Sequence, residues 1–171
     1  MSDEHAGASV PEGYGSVTPW LISRDSAAVI RFLEAAFGAA EIAGSRMHNP
    51  DGSIAHVEVR IGSSIVMLFD SYPGWPQTPG FFRVFVADAD ATHREALRAG
   101  ATSVTDVTEL FWGDLVSRVR DPFGNIWWLQ SHARDVSPDE MHARMEDPEL
   151  VAAMRYVQET LVDALREPRR R

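Results

Sequence analysis

The amino-acid sequence predicts an α+β fold made of two βαβββ modules and a C-terminal helical extension. A strand–helix–glycine pattern occurs twice at near-equal spacing, ending at Gly38 in the first half and at Gly100 in the second. A segment rich in proline and glycine, residues 71–80, separates the halves. Repetition of the same element order indicates an internal duplication, which is more informative than any single motif.

The first module begins with a predicted strand at 17–22, followed by a helix. Asp25 or Ser26 can cap this helix, and Gly38 is a natural stop. Its apolar side chains recur at helical spacing, at Val29, Ile30, Leu33 and Phe37. Three further strands are expected at 40–47, 53–61 and 65–70, with an Asn-Pro-Asp-Gly turn at 49–52 before the second of them.

The second module repeats this order. A strand is predicted at 81–86, and a helix at 89–99 ends at Gly100. Strands at 101–107, 115–120 and 126–130 complete the module, the last one after a turn with the sequence Asp-Pro-Phe-Gly. We therefore expect a disordered N-terminus, two modules, a linker between them and a C-terminal helical arm, at 1–15, 16–70, 71–80, 81–132 and 133–171.

The arm begins with a capping box, in which Ser137 precedes a proline and Glu140 follows at the third helical position. A second helix is predicted at 149–165 with an apolar stripe at Leu150, Met154, Val157 and Leu161. The arm carries no acid–base cluster. Its stripe favours packing against its own domain or against a second subunit over a direct functional role.

Composition narrows the function classes. The net charge of −9 argues against a nucleic-acid partner. No apolar run approaches the roughly 20 residues that span a bilayer, so no membrane partner is expected. The chain has no cysteine, which excludes disulfides and thiolate zinc sites and is compatible with the cytoplasmic location that we expect.

Several segments, within about residues 17–132, resemble the vicinal oxygen chelate superfamily, which includes glyoxalase I, extradiol dioxygenases and bleomycin-resistance proteins. They are VTPWLISRDSAAVIRFLEAAFGA, NPDGSIAHVEVRIGSSIVML, DADATHREALRAGA and FWGD followed by RDPFGNIWWLQ. The resemblance implies that the two modules form a curved mixed sheet around a cleft. It also implies that modules pair within a chain or across subunits, and we expect a homodimer.

Enzymes of this superfamily usually hold a divalent metal between the first and last strands of each module. Carried over by position, the ligand sites of this sequence are Thr18, Met67, Arg83 and Trp128. None is a His, Gln or Glu ligand, and Arg83 is a permanent cation that would repel a divalent ion. We therefore expect no metal and no other cofactor.

Strand alternation places further side chains on the cleft face with these positions. The expected ligand-binding residues are Trp20, Met67, Phe69, Arg83, Phe85, Trp128 and Gln130. Aromatic walls with few polar groups suit a flat organic molecule, and Arg83 can pair with an anion on it. Arg83 could equally pair with Glu58 across the cleft.

The resemblance implies a small-molecule binding protein of the bleomycin-resistance type, which holds an aromatic or anionic metabolite or an antibiotic. The alternative is a metal-independent lyase, isomerase or cyclase. In that case Glu58 or His56 would act as the catalytic acid or base, and Arg83 would stabilise an anion. His56 is more often a hydrogen-bonded structural residue than a base.

Overall fold

The computed structural model describes residues 10–11 and 13–166, and they form two compact units. The first unit contains the described residues up to Glu34 together with Gly38–Thr78. The second contains Ala35–Phe37 and continues from Pro79. Most of the N-terminal segment expected to be disordered, and the last residues of the arm, lie outside the described residues. None of the described helices is long and apolar enough to cross a membrane.

The first unit has a mixed sheet in the order β1-β5-β4-β2, with β3 paired to β4 and β1 parallel to β5. Its elements are β1 (Trp20–Ser23), α1 (Ser26–Phe37), β2 (Ala40–Glu41), β3 (Met47–His48), β4 (Ile54–Ile61) and β5 (Ser64–Asp70). The Asp25 side chain accepts a hydrogen bond from the Ala28 amide, 2.8 Å away, and so caps α1. Gly38 ends α1 in the left-handed conformation.

Two strands of this unit differ from their predicted bounds. β1 begins at Trp20 instead of at residue 17, because Pro19 has no amide proton to donate to the ladder. The strand predicted at 40–47 is divided into β2 and β3, since a turn with Gly44 at φ 80° interrupts it. Thr18 therefore precedes the first strand instead of lying within it.

The second unit has a four-stranded mixed sheet in the order β6-β9-β8-β7, with β6 parallel to β9. Its elements are β6 (Phe81–Phe85), α2 (Ala89–Arg98), β7 (Thr102–Glu109), β8 (Asp114–Arg120), β9 (Ile126–His132), α3 (Pro138–Glu146) and α4 (Pro148–Arg166). Both units thus have the predicted βαβββ order, with the third position of the first unit divided in two. The predicted α+β fold class is confirmed.

The turn between β8 and β9 is fixed by one buried carboxylate. Asp121 accepts hydrogen bonds from the amides of Phe123 and Asn125, each at 2.9 Å, and from the Asn125 side chain. It also accepts from the Trp127 indole N–H at 2.9 Å. These bonds set where β9 starts and therefore which of its side chains reach each face.

The two faces of the second sheet are covered by different helices. Trp127 and Leu129 are buried on the face against which α2 packs. The opposite face carries Trp128, and α4 packs on it through Val157. The predicted apolar stripe of the arm therefore meets its own module, which was one of the two alternatives that the sequence left open.

Candidate functional site

Three side chains form a row across adjacent strands on the α4-facing side of the second sheet. Arg83 on β6 is the register partner of Trp128 on β9, and Trp128 is the partner of Arg118 on β8. The guanidinium carbon lies 5.2 Å from the Trp128 ring centroid for Arg83 and 4.3 Å for Arg118. Both distances allow a cation–π interaction, so one indole ring is flanked by two cations.

This row has an excess of positive charge. Within the described part of the chain, no carboxylate lies within ion-pair distance of Arg83 or Arg118. Arg83 is exposed, whereas Arg118 is only 8% exposed. Burial, together with the nearby charge of Arg83, lowers the pKa of Arg118 to about 10. A pair of arginines without an acidic partner is a favourable place for an anion.

Trp128 is held by a chain of hydrogen bonds that leads away from the row. Its indole N–H donates to Gln130 Oε1 at 3.0 Å, and the Gln130 amide donates to Asp114. Asp114 also accepts from the Trp112 indole at 3.1 Å and lies 2.9 Å from His132 Nδ1. Gln130, which was predicted to contact ligand, is buried with both ends of its amide engaged. Its geometry supports a role in orienting Trp128.

Asp114 and His132, the two titratable groups in this hydrogen-bond network, shift each other's pKa. Burial alone would raise the pKa of Asp114, but the hydrogen bonds from Gln130, His132 and Trp112 outweigh it and lower that pKa. The hydrogen bond to Asp114 raises the pKa of His132. Sequence reasoning missed Asp114 and Trp112 as supports of Trp128, although both belong to the quoted FWGD motif.

The edge of this surface is open and aromatic. Phe85 on β6 is 70% exposed, and Phe81, in phase with it and with Arg83, is also exposed. Large exposed apolar side chains that surround a few polar groups often mark a binding surface. Of the predicted ligand-binding residues, Arg83, Phe85 and Trp128 thus share one accessible face of the second unit.

The first unit has a corresponding row, with Trp20 on β1, Met67 on β5 and Glu58 on β4 as successive register partners. Trp20 is 61% exposed and contacts Phe69 edge-on, with ring centroids 5.6 Å apart. Trp75 of the segment after β5 also contacts Phe69 edge-on, with ring centroids 6.3 Å apart. The predicted residues of this unit therefore form a second aromatic surface.

Glu58 has partners within its own unit. The Tyr14 hydroxyl donates a hydrogen bond to one carboxylate oxygen, and His56 Nε2 lies 3.2 Å from the other. The Glu58 side chain is 13% exposed. The bond to Glu58 raises the pKa of Tyr14. Tyr14 fell in the segment predicted to be disordered, where no sequence pattern pointed to this contact.

Most of the two units matches a known family model. Residues 14–129 match the model described as the Glyoxalase/Bleomycin resistance protein/Dioxygenase superfamily. The chain belongs to this superfamily. The resemblance found in the sequence is thereby confirmed, and α3 and α4 lie beyond the residues that the superfamily model matches.

Known proteins show the same relationship. The uncharacterized protein Mb0911c of Mycobacterium bovis is 37% identical over 141 residues, covering 76% of this chain and 91% of that protein. The structure of TioX from Micromonospora sp. ML1 has a TM-score of 0.57 and 26% identity, covering 69% of this chain and 99% of TioX. The fosfomycin resistance protein FosX from Mesorhizobium loti has a TM-score of 0.51 and 16% identity, covering 74% and 95% of the two chains, a likeness of fold alone.

The metal site implied by superfamily membership does not fit the residues of this chain. In the first unit the register partner of Met67 is Trp20 and not the predicted Thr18, and in the second unit the positively charged Arg83 pairs with Trp128. Among the described residues, no group of three or more His, Asp or Glu side chains is placed to hold a metal ion. A guanidinium beside an indole repels a divalent cation and attracts an anion.

Proposed function

We propose that this member of the glyoxalase/bleomycin resistance superfamily binds a small aromatic anion, either a metabolite or an antibiotic, without a metal ion. The observation that carries the proposal is the pairing of exposed Arg83 with Trp128, where no acidic partner from the described residues neutralises the arginine. The ligand ring stacks on Trp128 and Phe85, and its anionic group pairs with the guanidinium.

The expected energy of each contact sets how much affinity a single substitution can remove. A well-packed aromatic contact contributes about 0.5–1.5 kcal/mol beyond the burial of its area. A hydrogen bond to a charged group adds about 1.5–3 kcal/mol. A second predicted ligand-binding surface lies on the first unit and consists of Trp20, Met67 and Phe69.

Replacement of Arg83 tests the proposal. The Arg83→Met variant should bind 2-naphthoate roughly 10- to 100-fold more weakly than the wild type, since about 1.4 kcal/mol corresponds to a factor of ten. Binding of 2-naphthamide, which has the same ring without the charge, should hardly change. Both affinities are measured by quenching of tryptophan fluorescence.

Arg98→Met is the matched control, because Arg98 is an exposed arginine of α2 that pairs with Glu95. This variant should bind both compounds like the wild type. Equal weakening of both compounds by Arg83→Met would show that Arg83 supports the structure and would remove the argument for an anionic ligand.

The alternative, a metal-independent lyase, isomerase or cyclase, receives less support. Both carboxylate oxygens of Glu58 already have partners in Tyr14 and His56, as a structural network requires. If a bound compound is consumed and Glu58→Gln stops its turnover, the protein is a metal-independent enzyme and not only a binding protein.

A further inference from the structure

Among the residues that the structure describes, the buried guanidinium of Arg118 is hydrogen-bonded to neutral oxygens only. It donates to the Val157 carbonyl of α4 at 2.5 Å and to Thr105 Oγ1 at 3.2 Å. Buried arginines are normally paired with carboxylates, because removing the charge from water is costly. Here the α4 carbonyl is the strongest acceptor within reach among the described residues.

A second arginine contacts α4 closer to its C-terminal end. Arg120, two residues along β8, donates to the Ala164 carbonyl in the last turn of α4. The last carbonyls of a helix lack helical partners and carry the negative end of its dipole, equivalent to roughly half an elementary charge. Arg120 therefore meets the negative end of the α4 dipole, whereas the Val157 carbonyl that Arg118 contacts lies in the middle of α4 and offers only the partial charge of a single carbonyl.

The arm is attached to the sheet by one fully buried apolar side chain and by several hydrogen bonds, among them one between Thr105 and Thr160 at 2.7 Å. Val157 is the buried residue of α4, and α3 has none. A helix with few buried apolar contacts opens at lower free-energy cost than the sheet beneath it. The match to the superfamily model ends at residue 129, so the arm lies outside the matched residues.

We infer that Arg118 is a second anion-binding residue next to Arg83, and that α4 occupies this subsite until an anionic ligand displaces it. The inference rests on the proposed function. A ligand carboxylate carries a full negative charge, whereas the Val157 carbonyl oxygen carries only a partial one. The carboxylate can therefore compete with this carbonyl for the Arg118 guanidinium. Because Arg118 adjoins Trp128 in register, a ring on Trp128 brings its anionic group within reach of both arginines.

A reversible cross-link tests the displacement. Thr105 Oγ1 on β7 and Thr160 Oγ1 on α4 are 2.7 Å apart, so cysteine sulfurs at these positions can form a bond of about 2.05 Å. The chain has no native cysteine to interfere. The double variant Thr105→Cys/Thr160→Cys is titrated with 2-naphthoate in oxidised and reduced forms, and the reduced form is the matched control.

The oxidised form should bind 2-naphthoate at least about tenfold more weakly than the reduced form. A second variant, Val157→Asn, weakens the packing of the arm and should bind 2-naphthoate more tightly than the wild type does. Circular dichroism confirms that each variant is folded. Equal affinity of all forms would overturn the displacement and leave the proposed function intact. Absence of binding in the wild type and every variant would instead overturn the proposed function and this inference with it.

Discussion

At the scale of the residue, the pairing of Arg83 with Trp128 could be predicted, because strand alternation and the superfamily register place both on one face. The roles of Gln130 and Arg118 could not. Whether Gln130 faces a ligand or Asp114 depends on side-chain partners sixteen residues apart in the chain. Arg118 is buried because a helix from the end of the chain lies on it, and no local pattern contains that information.

Metal content follows directly from these residues. After dialysis, elemental analysis should find far less than one zinc, nickel, manganese or iron per chain, because Trp20, Met67, Arg83 and Trp128, which pair in register within the two units, provide no suitable donor set. A tightly held metal in a one-to-one ratio would show that ligands other than these four build a site.

At the scale of the element, capping residues and glycines predicted the helices well, since those signals are local. The observed strand bounds differ from the predicted ones at Pro19, which lacks an amide proton, and at Gly44, which forms a turn. The sequence predicted the apolar stripe on α4 but not the surface on which it packs. Helical periodicity identifies an apolar face and contains no information about its packing partner. α4 packs through Val157 on β7 and β8, next to Trp128.

Helix α2 makes stability depend on pH. His93 is buried, and its Nδ1 has no hydrogen-bond partner among the described residues. Burial lowers its pKa below 6.5 despite the nearby charges of Asp106 and Asp90. The unfolded chain therefore binds a proton more readily, and the free energy of unfolding should fall as pH drops below about 6.5, by at most about 1.4 kcal/mol per pH unit. His93→Leu should reduce this slope in urea unfolding measured at several pH values.

His132 should act in the opposite direction. Its pKa is raised by Asp114 and by Asp135, so it stabilises the folded state at low pH and loses that contribution as pH rises through the folded-state value. His132→Gln should therefore steepen the loss of stability at acidic pH. A shallower slope in this variant, or an unchanged slope in His93→Leu, would contradict the assignment.

At the scale of the whole molecule, we predict a homodimer. The apolar stripe of α4 supports this less than the sequence suggested, because Val157 is already covered by its own sheet. The side chains of Val151, Val162 and Leu165, which α4 leaves exposed, give a stronger reason, since monomers rarely leave large apolar surfaces open. Light scattering at micromolar concentration should give twice the chain mass of 19.0 kDa. A single species at 19.0 kDa would reject the dimer.

The binding of an aromatic anion at Trp128 is tested most directly by the indole N–H resonances of the five tryptophans during titration with 2-naphthoate. We predict that the Trp128 resonance shifts to saturation, while that of Trp127, buried and bonded to Asp121, stays in place. In Arg83→Met the same shift should require roughly 10- to 100-fold more 2-naphthoate, and 2-naphthamide should shift the wild-type resonance much more weakly at equal concentration. A Trp128 resonance that does not move, or that moves equally with the neutral compound, would contradict the proposed site.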